Sequence, residues 1–119
     1  MNRTSQHEAD LKFAVITILE LSGGGKHPIS YSELAEGLGV SPRSLGKLLD
    51  AVQELCASAG YPCLSALVGY KDKNIMPGEG FFVSYAEHYP GHADICAADI
   101  EKIRKKIARS NWSSLVQGL

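Results

Sequence analysis

The chain predicts a small α+β fold organised around two consecutive short helices, and three observations predict it. Ser30-Tyr31-Ser32-Glu33 has the S-x-x-E form of a capping box at the head of a helical apolar period. Gly39-Val40-Ser41-Pro42 makes a turn of the length that joins paired helices, with Ser41 as N-cap and Pro42 at the first helical position. Two β-prone stretches then flank the basic loop Lys71-Asp72-Lys73-Asn74, which reads as a two-stranded wing. The sum is a winged helix-turn-helix with an N-terminal helix and an extra C-terminal amphipathic helix.

Taken in order, His7 to Leu21 is apolar on more than one side, through Leu11, Phe13, Val15, Ile16, Ile18, Leu19 and Leu21, so a buried first helix is expected. Ser22-Gly23-Gly24-Gly25 ends it, because glycine supplies the left-handed backbone that closes a helix. The second helix starts at Tyr31 and buries Leu34, Ala35 and Leu38. A third runs from Pro42 to about Ala59, with Leu45, Leu48, Leu49, Val52, Leu55 and Cys56 inward and Arg43, Lys47, Asp50 and Glu54 outward.

Gly60-Tyr61-Pro62 stops that helix. Leu64, Ala66, Leu67 and Val68 predict one strand, and Gly80 to Tyr85 a second. The last helix spans about 92–110, with Ile95, Ile100, Ile103 and Ile107 packing and Lys102, Lys105, Lys106 and Arg109 outward. The helix-turn-helix thus covers about 30–59 and the wing about 63–85 of a single domain, 1–119.

Bulk properties bound the function. Apolar residues make up 45% and charged residues 21%, an ordinary globular balance, and no apolar run approaches the length of a membrane span. The N-terminus lacks the apolar stretch and cleavage site of a secretory signal, so a cytoplasmic protein with no membrane partner is expected. Cys56, Cys63 and Cys96 form an odd set without CxxC spacing, which argues for free thiols. His88, His92 and Cys96 recur every four residues, yet Pro90-Gly91 breaks any helix carrying them, so no metal is expected, nor any cofactor. Net charge is -1, which speaks against tight nonspecific binding to phosphate unless the cations gather on one face.

The arrangement points to double-stranded DNA. The positive residues of the third helix, Arg43 and Lys47, lie in its first turns, the end that a recognition helix inserts into a groove. Ser41 and Ser44 lie beside them where helix-start amides take phosphate, and Lys71 and Lys73 on the wing reach flanking phosphates. The C-terminal helix carries the densest positive cluster, Lys102, Arg104, Lys105, Lys106 and Arg109, which a solvated face explains better than a binding surface. Trp112, in a polar tail, is expected to pack the C-terminus onto the body.

Several of these residues also resemble a known family. Tyr31-Ser32-Glu33-Leu34-Ala35 is similar to the Tyr-Gly-Glu-Leu-Ala of 6-O-alkylguanine-DNA alkyltransferases and alkyltransferase-like proteins. Arg43-Ser44-Leu45-Gly46 resembles their Arg-Ala-Val-Gly, Pro62-Cys63 the opening of their Pro-Cys-His-Arg, and Gly78-Glu79-Gly80-Phe81 falls where their Gly-Gly-Tyr lies. The resemblance implies that Arg43 enters the duplex in place of an extruded base, and that Tyr31, Cys63, Ser65 and Gly80 line the pocket for a modified or damaged base. Leu64 and Ser65 stand where the family has its activating histidine and its arginine. Without that base Cys63 is expected to be a core thiol and not a nucleophile.

The expected function is therefore non-catalytic DNA binding, extending on the resemblance to modified bases. Two alternatives remain open on the sequence. One is a protein-interaction module, such as a small prophage or defence-related inhibitor or an accessory subunit, supported by the near-neutral charge and by Asp50 and Glu54. The other is an active alkyltransferase using Cys63. A homodimer through the isoleucine-rich last helix is a further expectation.

Overall fold

The computed structural model describes residues 3–89 and 97–119, with side chains for 10–72, 74–89 and 98–119. It is a mostly helical α+β fold with a two-stranded parallel sheet. Helix α1 (Arg3–Leu21) begins earlier than expected and buries Ala14, Val15 and Ile18. Gly23, Gly24 and Gly25 all take positive φ, and the Gly25 amide donates to Ser22 Oγ at 3.0 Å, so the chain reverses directly after the helix.

Strand β1 (Ile29–Ser30) leads into α2 (Tyr31–Leu38). The capping box forms as the sequence predicts: the Glu33 amide donates to Ser30 Oγ at 3.1 Å, and the Ser30 amide donates to the Glu33 carboxylate at 3.2 Å. Gly39, left-handed at φ 70°, ends α2. A single 3-10 turn at Pro42–Ser44 follows, and α3 proper is Leu45–Ser58. Ser41 caps the turn by position only; its hydroxyl makes no cap bond and lies 3.3 Å from Ser44 Oγ. The helix expected from Pro42 thus opens with a tighter turn, a common start for an α-helix. Its apolar stripe faces α1 and α4, and Arg43, Lys47, Asp50 and Glu54 are exposed.

The two-stranded wing is not what forms. Leu64–Leu67 is a 3-10 turn, buried throughout. Strand β2 (Val68–Gly69) pairs with β1, parallel, Ile29 opposite Val68 and Ser30 opposite Gly69. Residues expected as the second strand belong to α4 (Glu79–His88). The physical reason is a stripe of aromatics at helical spacing. Phe81 packs on Tyr85 with ring centroids 5.6 Å apart, and Tyr85 stacks on Tyr89 at 4.5 Å, contacts that i, i+4 spacing on a helix allows and alternation on a strand does not. The basic loop survives as an excursion closed by one antiparallel bridge between Tyr70 and Met76, with a 3-10 turn at Lys71–Lys73.

Helix α5 (Ala97–Arg109) buries Ile100, Ile103 and Ile107 in the chain's own core, so these side chains offer no dimer interface. Lys102, Lys105, Lys106 and Arg109 are exposed as expected, but Arg104 is turned inward. Expectations for His92, Ile95 and Cys96 lie outside the described residues. Helix α6 (Trp112–Gln117) closes the chain; buried Trp112 donates to the Ile107 carbonyl at 2.9 Å and packs on Tyr61, which ties the C-terminus down. Among the described residues no helix is long and apolar enough to cross a membrane.

Candidate functional site

A cleft of about 510 Å³ opens where the start of α3, the loop after β2 and the first turn of α4 converge. That volume lies within the range of about 300–1,000 Å³ usual for small-ligand sites. Arg43, Asp50 and Glu79 carry charge at its edge, and Leu45, Leu49, Tyr70 and Phe81 supply apolar wall. Two carboxylates beside one guanidinium make the cleft a poor seat for phosphate. A neutral group suits it better.

Tyr31 holds the walls together. Its side chain leaves the first position of α2, its hydroxyl oxygen accepts the Gly78 amide at 2.9 Å, and its ring meets Tyr70 edge to face at 4.8 Å. Burial raises its pKa, more than the Gly78 bond lowers it, so the phenol keeps a proton to donate. A Cβ at Gly78 would lie 2.9 Å from the Tyr70 ring, so a larger residue there would push that ring aside.

Four of the residues expected from the sequence meet at the cleft: Tyr31, Arg43, Ser65 and Gly80. Ser65 donates to the Leu49 carbonyl at 2.9 Å, which pins the buried 3-10 turn to α3. Ser41, Ser44 and Lys47 are exposed beside cleft residues at the start of α3, and Lys71 is exposed next to Tyr70. The Lys73 side chain lies outside the described residues. Cys63 stands apart from the expected set. It does not line the cleft but lies behind it, fully buried, with Gln53 Nε2 donating to its sulfur at 3.2 Å. Burial pushes the thiol up to about 12, outweighing the hydrogen bond from Gln53. At neutral pH the thiol stays protonated.

Gln53 and Tyr70 carry no expectation from the sequence, and Arg104 is expected only as one of the basic residues of the last helix. Gln53 had a signal: it is a polar residue at a position where helical spacing demands an apolar one, between Val52 and Cys56. Arg104 had none, because nothing in the basic pattern of α5 separates it from its exposed neighbours. Its Nε donates to the Ala66 carbonyl at 2.9 Å and its guanidinium also bonds the Ile75 carbonyl, so it fastens the loop that forms one cleft wall. Among the described residues no three His, Cys, Asp or Glu side chains gather as a metal site. No protein-family model matches the chain, and neither a curated protein nor a solved structure matches it significantly.

Proposed function

We propose that the protein binds double-stranded DNA without catalysis and holds one base, turned out of the duplex, in the cleft beside Arg43. The observation that carries this reading is the convergence of Tyr31, Ser65 and Gly80 on one cleft with a free-standing arginine at its rim. In this reading α2 and α3 act as a helix-turn-helix and the loop at 70–76 takes the place of the wing. The start of α3 enters a groove, Arg43 fills the gap left by the base, and Lys47 and Lys71 meet phosphate. The apolar walls take the faces of the base. Extruding a base costs about a few kcal/mol, less where a lesion weakens pairing, so modified DNA is selected. The similarity to alkyltransferase-like proteins supports this reading. The depth and raised pKa of Cys63 support binding without alkyl transfer.

Fluorescence anisotropy of a labelled duplex, plain or with one 6-O-methylguanine, at two salt concentrations tests it. Tighter binding of the lesion, weakened by about tenfold or more in Arg43→Ala, is expected. Affinity should fall with salt as phosphate contacts release counterions. Binding of both duplexes alike leaves a general DNA binder. Absence of binding at low salt overturns the proposal in favour of a protein partner, the reading that the exposed Asp50, Glu54 and Glu79 favour.

A further inference from the structure

Among buried side-chain oxygens and nitrogens of the described residues, Gln53 Oε1 is the one without a hydrogen-bond partner. Gln53 is 1% exposed and yet lines the cleft. Its nitrogen is committed to Cys63 Sγ. A buried carbonyl left unpaired is unfavourable, so a ligand that reaches it with a donor gains a hydrogen bond that the folded chain does not make. The oxygen itself is covered, just beneath a cleft that Gln53 helps to line and whose other polar contacts are mostly satisfied: Ser65 bonds Leu49, and Gly78 bonds Tyr31. The terminal torsion of a glutamine side chain is broad, so the oxygen reaches the cleft by a rotation that gives up only the nitrogen's bond to sulfur, a weak acceptor.

We infer that Gln53 is a specificity-determining residue: its side-chain carbonyl accepts a hydrogen bond from an exocyclic amino group of the base seated in the cleft. This rests on the base-binding reading above and deepens it. An oxygen acceptor that reaches the cleft rewards a ligand edge that carries N–H and penalises one that carries only lone pairs, because the second leaves two acceptors facing each other. Discrimination then comes from the base itself, independently of how easily it leaves the duplex.

The ligand is varied first, with the full-length wild-type chain. Four duplexes each place one purine opposite an abasic site, so that none of the bases has a pairing partner: 6-O-methylguanine against 6-O-methylhypoxanthine, which lacks the 2-amino group, and adenine against purine, which lacks the 6-amino group. The wild type is expected to prefer the amine-bearing member of at least one pair by about three- to tenfold. Gln53→Met, similar in length and without the carbonyl, is expected to bind both members alike, with its circular dichroism and melting curve confirming a folded chain. Equal wild-type affinity within both pairs overturns the assignment while leaving base binding standing. A preference that persists in folded Gln53→Met also overturns it. Absence of binding to all four duplexes and to the lesion duplex removes the base-binding reading itself.

Discussion

Cys63 and Cys56 are buried thiols, and burial is the largest influence on each, pushing Cys63 up to about 12 and Cys56 to about 11. In an unfolded chain a thiol ionises near about 8.5. Below that pH both states keep the protons and no stability is lost. Above it the unfolded state sheds protons that the folded state retains, so stability falls until the folded thiols ionise at about 11 to 12. Urea titrations between neutral pH and about pH 10.5 should show a loss approaching 1.4 kcal/mol per pH unit per thiol, and Cys63→Ala should flatten that slope. Gly69 makes a second test at this scale. A Cβ there would collide with the backbone of Ile75, so Gly69→Ala must displace the loop or break the β1–β2 pairing. A loss of about 2 kcal/mol or more in chemical denaturation is expected, together with weaker ligand binding.

Helix α2 is short, and its start depends on Ser30, which also supplies the last residue of β1. Ser30→Ala removes the acceptor for the Glu33 amide and should cost about 1 kcal/mol, seen as a lower urea midpoint with an unchanged m-value. Because Tyr31 follows immediately and holds Gly78, the same change should loosen the cleft wall. Glu33→Gln, which keeps an acceptor for the Ser30 amide, should be milder. Helix α4 carries a related lesson. Phe81, Tyr85 and Tyr89 make one aromatic stripe, and the Tyr89 hydroxyl donates to the Tyr61 carbonyl at 2.9 Å, tying α4 to the segment after α3. In the sequence the same residues satisfy strand propensity, since aromatics and valine favour both a pleated surface and a packed helix.

Across the whole molecule, Arg104 links the C-terminal helix to the cleft. Asn74 and Ile75 both sit at φ 56°, a conformation that a β-branched residue adopts only when its surroundings impose it. The imposing contacts are the Arg104 bond to the Ile75 carbonyl and the Ile75 amide bond to the Tyr70 carbonyl at 2.9 Å. Burial lowers the Arg104 pKa, with Glu101 opposing, yet the guanidinium stays charged and donates to two carbonyls. Arg104→Met should lose both bonds, at a cost of about 2–4 kcal/mol. Hydrogen exchange of the 70–76 amides should quicken more than that of α1, and affinity for any cleft ligand should fall although Arg104 does not line the cleft.

What lay in the chain itself were the features written by near neighbours. The capping box at Ser30, the glycines after Leu21, the turn at Gly39 and the outward stripe from Arg43 to Glu54 depend on contacts within a few residues, so local chemistry suffices to read them. Of the residues that the sequence resemblance singled out, Tyr31, Arg43, Ser65 and Gly80 line one cleft, and Cys63 lies behind it. Tertiary structure alone decided that Val68 and Gly69 pair with Ile29 and Ser30, that Glu79–His88 is a helix, that Arg104 turns inward, and that Gln53 Oε1 lies buried without a partner. Each of these depends on groups far apart in sequence, although the aromatic stripe of Glu79–His88 itself is local and only its packing on α3 is distant. Short apolar segments are compatible with either secondary structure, and the choice falls to whichever long-range packing buries them while satisfying the backbone.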